Sequence, residues 1–219
     1  MILIDFPEGE TTMNLPLNSG QKVECKLYGA SADQVKGVAV ICHPHSLMGG
    51  SMDNKVVHTL WRAFKELGLN VLRFNFRGVG ASEGSYDEGK GEADDLAEIL
   101  DGLAEKFPSQ PLYLAGFSFG AFVAASYAAR QQRQPLKRVF LIAPPVHHFA
   151  MEALHDLRAP VSIIVGERDE LVPVDEVVLW AHSLHDYPLS HVHVLPEVSH
   201  FFHGCLPALK EKILLEMAL

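Results

Sequence analysis

Residues 112–130 read LYLAGFSFGAFVAASYAAR, and the order of their parts decides the fold. Leu112–Phe117 is a short apolar run of strand character, Gly116-Phe117-Ser118-Phe119-Gly120 is a Gly-x-Ser-x-Gly turn, and an Ala-rich helical pattern follows from Phe119 to Gln131. A strand that turns sharply into a helix at a serine lifts the Oγ clear of the sheet. The backbone there is strained, and a β-carbon at Gly116 or Gly120 collides with the neighbouring strand or helix. The helix N-terminus beneath Ser118 favours a negative charge developing beside it.

The same alternation extends in both directions. β-Branched apolar runs at Val38–Cys42, Val71–Phe76, Val139–Ala143, Val161–Gly166 and His191–Leu195 read as buried strands. Between them, Val56, Val57, Leu60, Trp61, Phe64 and Leu67 form one stripe of a helix ending at Gly68, and further helices are expected over 92–106, 175–185 and 201–217. Strand and helix in strict alternation specify parallel strands joined by right-handed crossovers, a doubly wound α/β sheet with helices on both faces. Thr12–Leu17 and Lys22–Tyr28 flank the turn Asn18-Ser19-Gly20-Gln21 and predict an antiparallel hairpin at one sheet edge. No linker-like or repeated segment divides the chain, so residues 1–219 are read as a single domain.

Composition narrows the function. The 219 residues carry 18 Lys plus Arg against 27 Asp plus Glu, a formal net charge of −9, which disfavours phosphate backbones and anionic lipid surfaces as partners. Neither a signal-like start nor an apolar run of membrane-spanning length is present, so a soluble cytoplasmic protein with no nucleic-acid or membrane partner is expected. Cys25, Cys42 and Cys205 are too few and too far apart for a disulfide framework; they read as reduced structural thiols, with Cys205 inside a helix.

Open sheets of this kind place their chemistry at the C-terminal ends of the strands. A serine hydroxyl needs a histidine base and an acid that orients it, in the chain order serine, acid, histidine. Glu167-Arg168-Asp169-Glu170 follows Val161–Gly166, and Asp169 is the preferred acid, with Glu167 and Glu170 as alternatives. His200 follows the last strand through Pro196-Glu197-Val198-Ser199. It is preferred over His203, which is assigned to the first turn of the final helix. Asp175 and Glu176 read as dipole partners of the helix they open. The loop His43-Pro44-His45-Ser46-Leu47-Met48-Gly49-Gly50 ends the first parallel strand. The backbone N–H groups of Phe119 and His45, or Ser46 in place of His45, are the candidate oxyanion donors, since Pro44 has none to offer. Arg77 is read as the partner of a nearby acid rather than a substrate ligand. His43/His45 and His191/His193 are His-x-His pairs, but no third ligand can be placed beside them, and neither metal nor cofactor is expected.

Together, HPHSLMGGSMDNKVV, NFRGVGASEG, AGFSFGAFVA, GERDELVP and VSHFFHG resemble a group of small, lidless, carboxylesterase-like α/β-hydrolases, over nearly the whole chain. The resemblance implies a triad of Ser118, Asp169 and His200. A lid would be inserted between Val139–Ala143 and Val161–Gly166, where Pro144–Pro160 supplies only 17 residues, so an open, shallow site is expected. Leu47, Met48, Val146, His147 and Leu171 are candidates for its lining. The expected activity is a serine hydrolase acting on small soluble esters or thioesters through an acyl-enzyme. Peptide cleavage by the same triad, or a binding module on the hydrolase scaffold, are the alternatives.

Overall fold

The computed structural model describes residues 4–31, 33, 35–130, 132–151, 154–184 and 190–218. Eight strands form one sheet: β1 Gly9–Pro16, β2 Lys22–Gly29, β3 Val38–Cys42, β4 Asn70–Phe74, β5 Leu112–Phe117, β6 Leu136–Ile142, β7 Val161–Gly166 and β8 His191–Leu195. Their spatial order is β1-β2-β4-β3-β5-β6-β7-β8. The first two strands form the expected edge hairpin, running in register from Gly9 opposite Gly29 to Pro16 opposite Lys22, and β2 also pairs antiparallel with β4. All remaining pairings are parallel.

Alternate residues of each buried strand feed two cores. From β3, Val38, Val40 and Cys42 face one side together with Leu96, Ala121 and Val177, whereas Ala39 and Ile41 face the other with Trp61, Phe64 and Ile213. Helices α2 (Lys90–Lys106), α3 (Phe119–Ala128) and α4 (Val174–His182) therefore cover one face, and α1 (Lys55–Glu66) and α5 (Leu206–Ala218) the other. This is the doubly wound arrangement that the alternation predicts. Asn54 caps α1, its Oδ1 accepting from the Val56 N–H at 2.8 Å, and Gly68 ends it at φ 77°.

Several boundaries differ from the sequence reading. The fourth strand stops at Phe74 because the Phe76 N–H donates to the His43 ring at 2.9 Å, so the chain leaves the ladder there. The last helix starts at Leu206 rather than 201, since Phe202 at φ 54° and Gly204 at φ 73° are left-handed and incompatible with a right-handed helix. Cys205 and His203 consequently precede that helix instead of lying within it. In α4 the described helix ends at His182, and the predicted end at His185 lies outside the described residues, as does Gln131 after α3. Between β6 and β7 the described residues contain no α-helix. Among the described residues no helix is long and apolar enough to cross a membrane.

Candidate active site

Ser118 occupies the turn between β5 and α3 at φ 53°, ψ −119°, a conformation L-residues rarely adopt. Its N–H donates to the Ile142 carbonyl at 2.8 Å, fastening the turn to β6. Both flanking glycines are sterically required. A Cβ on Gly116 would lie 2.1 Å from the Gly120 carbonyl oxygen, and one on Gly120 would lie 2.5 Å from the carbonyl oxygens of both Cys42 and His43. The start of α3 thus rests directly on the end of β3.

Past the end of β7, Asp169 turns its buried carboxylate inward. Its Oδ1 accepts from the N–H groups of Leu171 (2.9 Å) and Val172 (2.8 Å), which fixes the plane and aims Oδ2 at His200 Nδ1, 2.8 Å away. A carboxylate facing Nδ1 selects the tautomer in which Nδ1 carries the proton and Nε2 is free to accept. His200 Nε2 lies 3.1 Å from Ser118 Oγ, and its ring is packed between Phe117 and the edge of Phe201. Three residues from three separate loops are thereby aligned as a serine–histidine–carboxylate relay, buried except at the serine's open side. The alternative acids have other work. Glu170 Oε2 accepts from the His200 N–H at 3.0 Å and Glu167 Oε2 from the Glu197 N–H at 3.0 Å, so both brace the backbone of the histidine loop. His203 is exposed and stacks near Phe201, away from the serine.

The β3 loop is held by two histidine rings with distinct tasks. His43 is fully buried: Nε2 accepts from the Phe76 N–H, so Nδ1 bears the proton and donates to the Pro44 carbonyl at 2.6 Å. Burial drives its pKa down to about 4, keeping it neutral. Because the peptide unit is planar, anchoring the Pro44 C=O also fixes the opposite end of that unit, the His45 N–H. No protein acceptor is found for the His45 or Phe119 N–H among the described residues. The His45 ring accepts at Nδ1 from the Leu47 N–H (3.2 Å), lies 3.1 Å from the Tyr86 hydroxyl through Nε2, and packs against Phe119 and Phe149. Burial lowers its pKa as well.

A family model described as alpha/beta hydrolase fold matches residues 39–156. This chain belongs to the α/β-hydrolase fold family. A structure from Coxiella burnetii described as an alpha-beta serine hydrolase homologue is 35% identical, with a TM-score of 0.87 covering 96% of this chain and 98% of that one. A structure from Xanthomonas campestris described as a member of a/b serine hydrolase without lid is also 35% identical, with a TM-score of 0.87 over 99% and 97% of the two chains. An uncharacterized protein of Rickettsia prowazekii is 35% identical over 173 residues, 75% of this chain and 71% of its own length.

In this α/β-hydrolase the serine opens into a cleft of about 520 Å³. Met48 and Leu171 line it as expected; Leu47, Val146 and His147 do not, and His148, Phe149 and Phe201 take their place. The Pro144-Pro145 turn after β6 brings the later residues round, a direction that residue type alone does not reveal. Arg77 stays outside the cleft, donating from Nε and Nη2 to the two Asp95 oxygens at 2.8 and 2.7 Å. The second His-x-His pair lies on β8 with both rings on one face. His191 Nδ1 and His193 Nε2 approach the two oxygens of buried Glu216 at 2.8 and 2.6 Å, and Ser162 and Arg138 complete that carboxylate's shell. Burial alone would raise the Glu216 pKa, but the hydrogen bonds from Ser162, His193 and His191 prevail and bring it to about 2. Cys25 and Cys42 are buried free thiols, Cys25 pushed up to about 12 and Cys42 raised further, so neither is a nucleophile.

Proposed function

We propose that this chain is a serine hydrolase that cleaves small carboxylic esters or thioesters through an acyl-enzyme on Ser118. The observation that carries the reading is the continuous relay from Asp169 through His200 to Ser118, at 2.8 and 3.1 Å. In the first step His200 Nε2 takes the Ser118 proton as Oγ forms a bond to the acyl carbon, and the carbonyl electron pair moves onto its oxygen. The His45 and Phe119 amides, without protein acceptors among the described residues, are the groups placed to donate to that oxyanion; one such donor is worth about 2.7–4 kcal/mol in the transition state. Collapse breaks the bond to the leaving group, which takes the proton from His200. Water, deprotonated by the same histidine, then attacks the acyl-enzyme and releases the acid. Asp169 holds the ring throughout and faces the imidazolium when it forms.

Among the described residues, the cleft wall contains no Asp, Glu, Lys or Arg, which favours an uncharged acyl group. A cytoplasmic setting fits the three free thiols. A fluorophosphonate probe should label the protein once, at Ser118, and not the Ser118→Ala variant. A folded protein that resists the probe, or a variant that keeps full esterase turnover, would refute the proposal.

A further inference from the structure

A second cleft, about 250 Å³, adjoins the first: Asn54 and Phe201 line both, and Asp53, Lys55, Val56 and His203 complete the second. The two differ in kind, for among the described residues the first has no Asp, Glu, Lys or Arg in its wall while the second contains Lys55 and Asp53. Asp53 is already engaged, its Oδ1 accepting from Lys26 Nζ at 2.8 Å and lying 3.3 Å from Arg73 Nη1. Lys55 is exposed, and its ammonium has no ion pair or hydrogen bond among the described residues. With two cations on Asp53 and Lys55 beside them, this corner carries surplus positive charge on a chain whose net charge is −9. His58, on the same helix, has its pKa depressed by burial first, then by Arg73 and Arg62, with Glu10 and Asp53 acting in the opposite sense.

Chemistry says which part of a substrate lies there. The leaving group must receive its proton from His200 Nε2, so it departs on the histidine side of Ser118. Phe201 follows His200 directly, His203 lies two residues further on, and Phe201 is, with Asn54, shared by the walls of the two clefts. We infer that the second cleft is a leaving-group subsite, and that the alcohol or thiol half of the substrate carries an anionic group, a carboxylate or phosphate, that meets Lys55. The uncharged acyl half then occupies the first cleft, whose wall holds three of the seven exposed large apolar side chains among the described residues: Met48, Leu171 and Phe201. The substrate is an amphiphile with its ester at the junction. This inference rests on the serine-hydrolase reading and extends it to the identity of the departing half.

Two octylphosphonate probes test it, one releasing a nitrophenolate and the other its carboxylated analogue, with the rate of Ser118 labelling followed by mass spectrometry. At low ionic strength the preference for the carboxylated probe should fall about two- to fivefold in Lys55→Gln, the span of an exposed charge pair. It should fall further in Lys55→Glu, return in Lys55→Arg, and shrink with added salt. Ser118 labelling with the same preference in wild type and Lys55→Glu would overturn the subsite while leaving the hydrolase reading intact. Absence of labelling by both probes would overturn the hydrolase reading and the subsite with it.

Discussion

Replacing His43 with Gln should remove a pH dependence of stability whose size follows from the burial of that ring. In the folded chain His43 is neutral with a pKa near 4, against an ordinary 6.5, because charging it would strand an imidazolium among apolar side chains and abolish its acceptance of the Phe76 N–H. Below pH 6.5 the unfolded chain protonates this residue and the folded chain does not, so the unfolded state binds the extra proton and stability falls as pH falls. The contribution is fully present above pH 6.5 and is lost between there and pH 4. At about 1.36 kcal/mol per unit, the whole loss is about 3 kcal/mol. Urea unfolding, followed by the fluorescence of Trp61 and Trp180, gives the measurement. At pH 7 the variant should be less stable by about 1–3 kcal/mol, having left a buried N–H without its acceptor. That gap should narrow by about 2 kcal/mol on going to pH 4.5, because only the wild type loses the His43 contribution while every other titration cancels in the difference. A gap that stays constant with pH would show that His43 is not held neutral, and the argument that its ring fixes the Pro44–His45 peptide would fail with it.

Asp169→Asn should preserve the fold yet lower ester turnover by about 10⁴-fold, since an amide facing Nδ1 no longer selects the working tautomer; turnover within tenfold of wild type would contradict the relay. Tyr86→Phe removes the partner of His45 Nε2, and a hydrogen bond of about 0.5–1.5 kcal/mol translates into Ser118 labelling about two- to tenfold slower. An unchanged labelling rate would mean that the His45 ring does not steady the loop. Gly120→Ala should cost at least about 2 kcal/mol in a thermal or urea melt, as its Cβ meets two backbone carbonyls that have nowhere to move; a melting temperature equal to wild type would refute the contact. Glu216→Gln should cost about 3–5 kcal/mol by leaving Arg138 partly buried without its counter-charge, and a loss below about 1 kcal/mol would make the cluster a surface feature.

The sequence carries the sheet clearly, because a strand buried on both faces is apolar at nearly every position, as Val38–Cys42 is throughout and Val161–Gly166 is apart from Ser162. Ser118, Asp169 and His200 are legible for a related reason: each immediately follows a strand, or the turn after one, so chain order already fixes which end of the sheet it reaches. What escapes sequence reading is decided by single backbone angles or by contacts distant along the chain. The left-handed Phe202 shifts the start of α5 by five residues, and nothing in Phe-Phe-His-Gly marks which of them takes that angle. Choosing His148 and Phe149 over Val146 and His147 for the cleft depends on the phase of one turn. The pairing of His191 and His193 with Glu216 spans more than twenty residues, and alternation along β8 reveals the shared face but not the partner.

The close seating of Gly120 on the carbonyls of Cys42 and His43 has a consequence for how the site does its work. The Phe119 amide belongs to one segment and the His45 amide to another, and the distance between them is set where those segments touch backbone to backbone, with no side chain interposed to flex. If these two amides act as the proposed oxyanion donors, a pair spaced in this way does not wait for a ligand to draw it together. Its reorganisation is completed once, as the chain folds, and need not be repeated at each turnover. Under the proposed mechanism, acylation would then depend on how well a substrate matches a fixed frame, and variation in specificity would fall to the loops around the cleft.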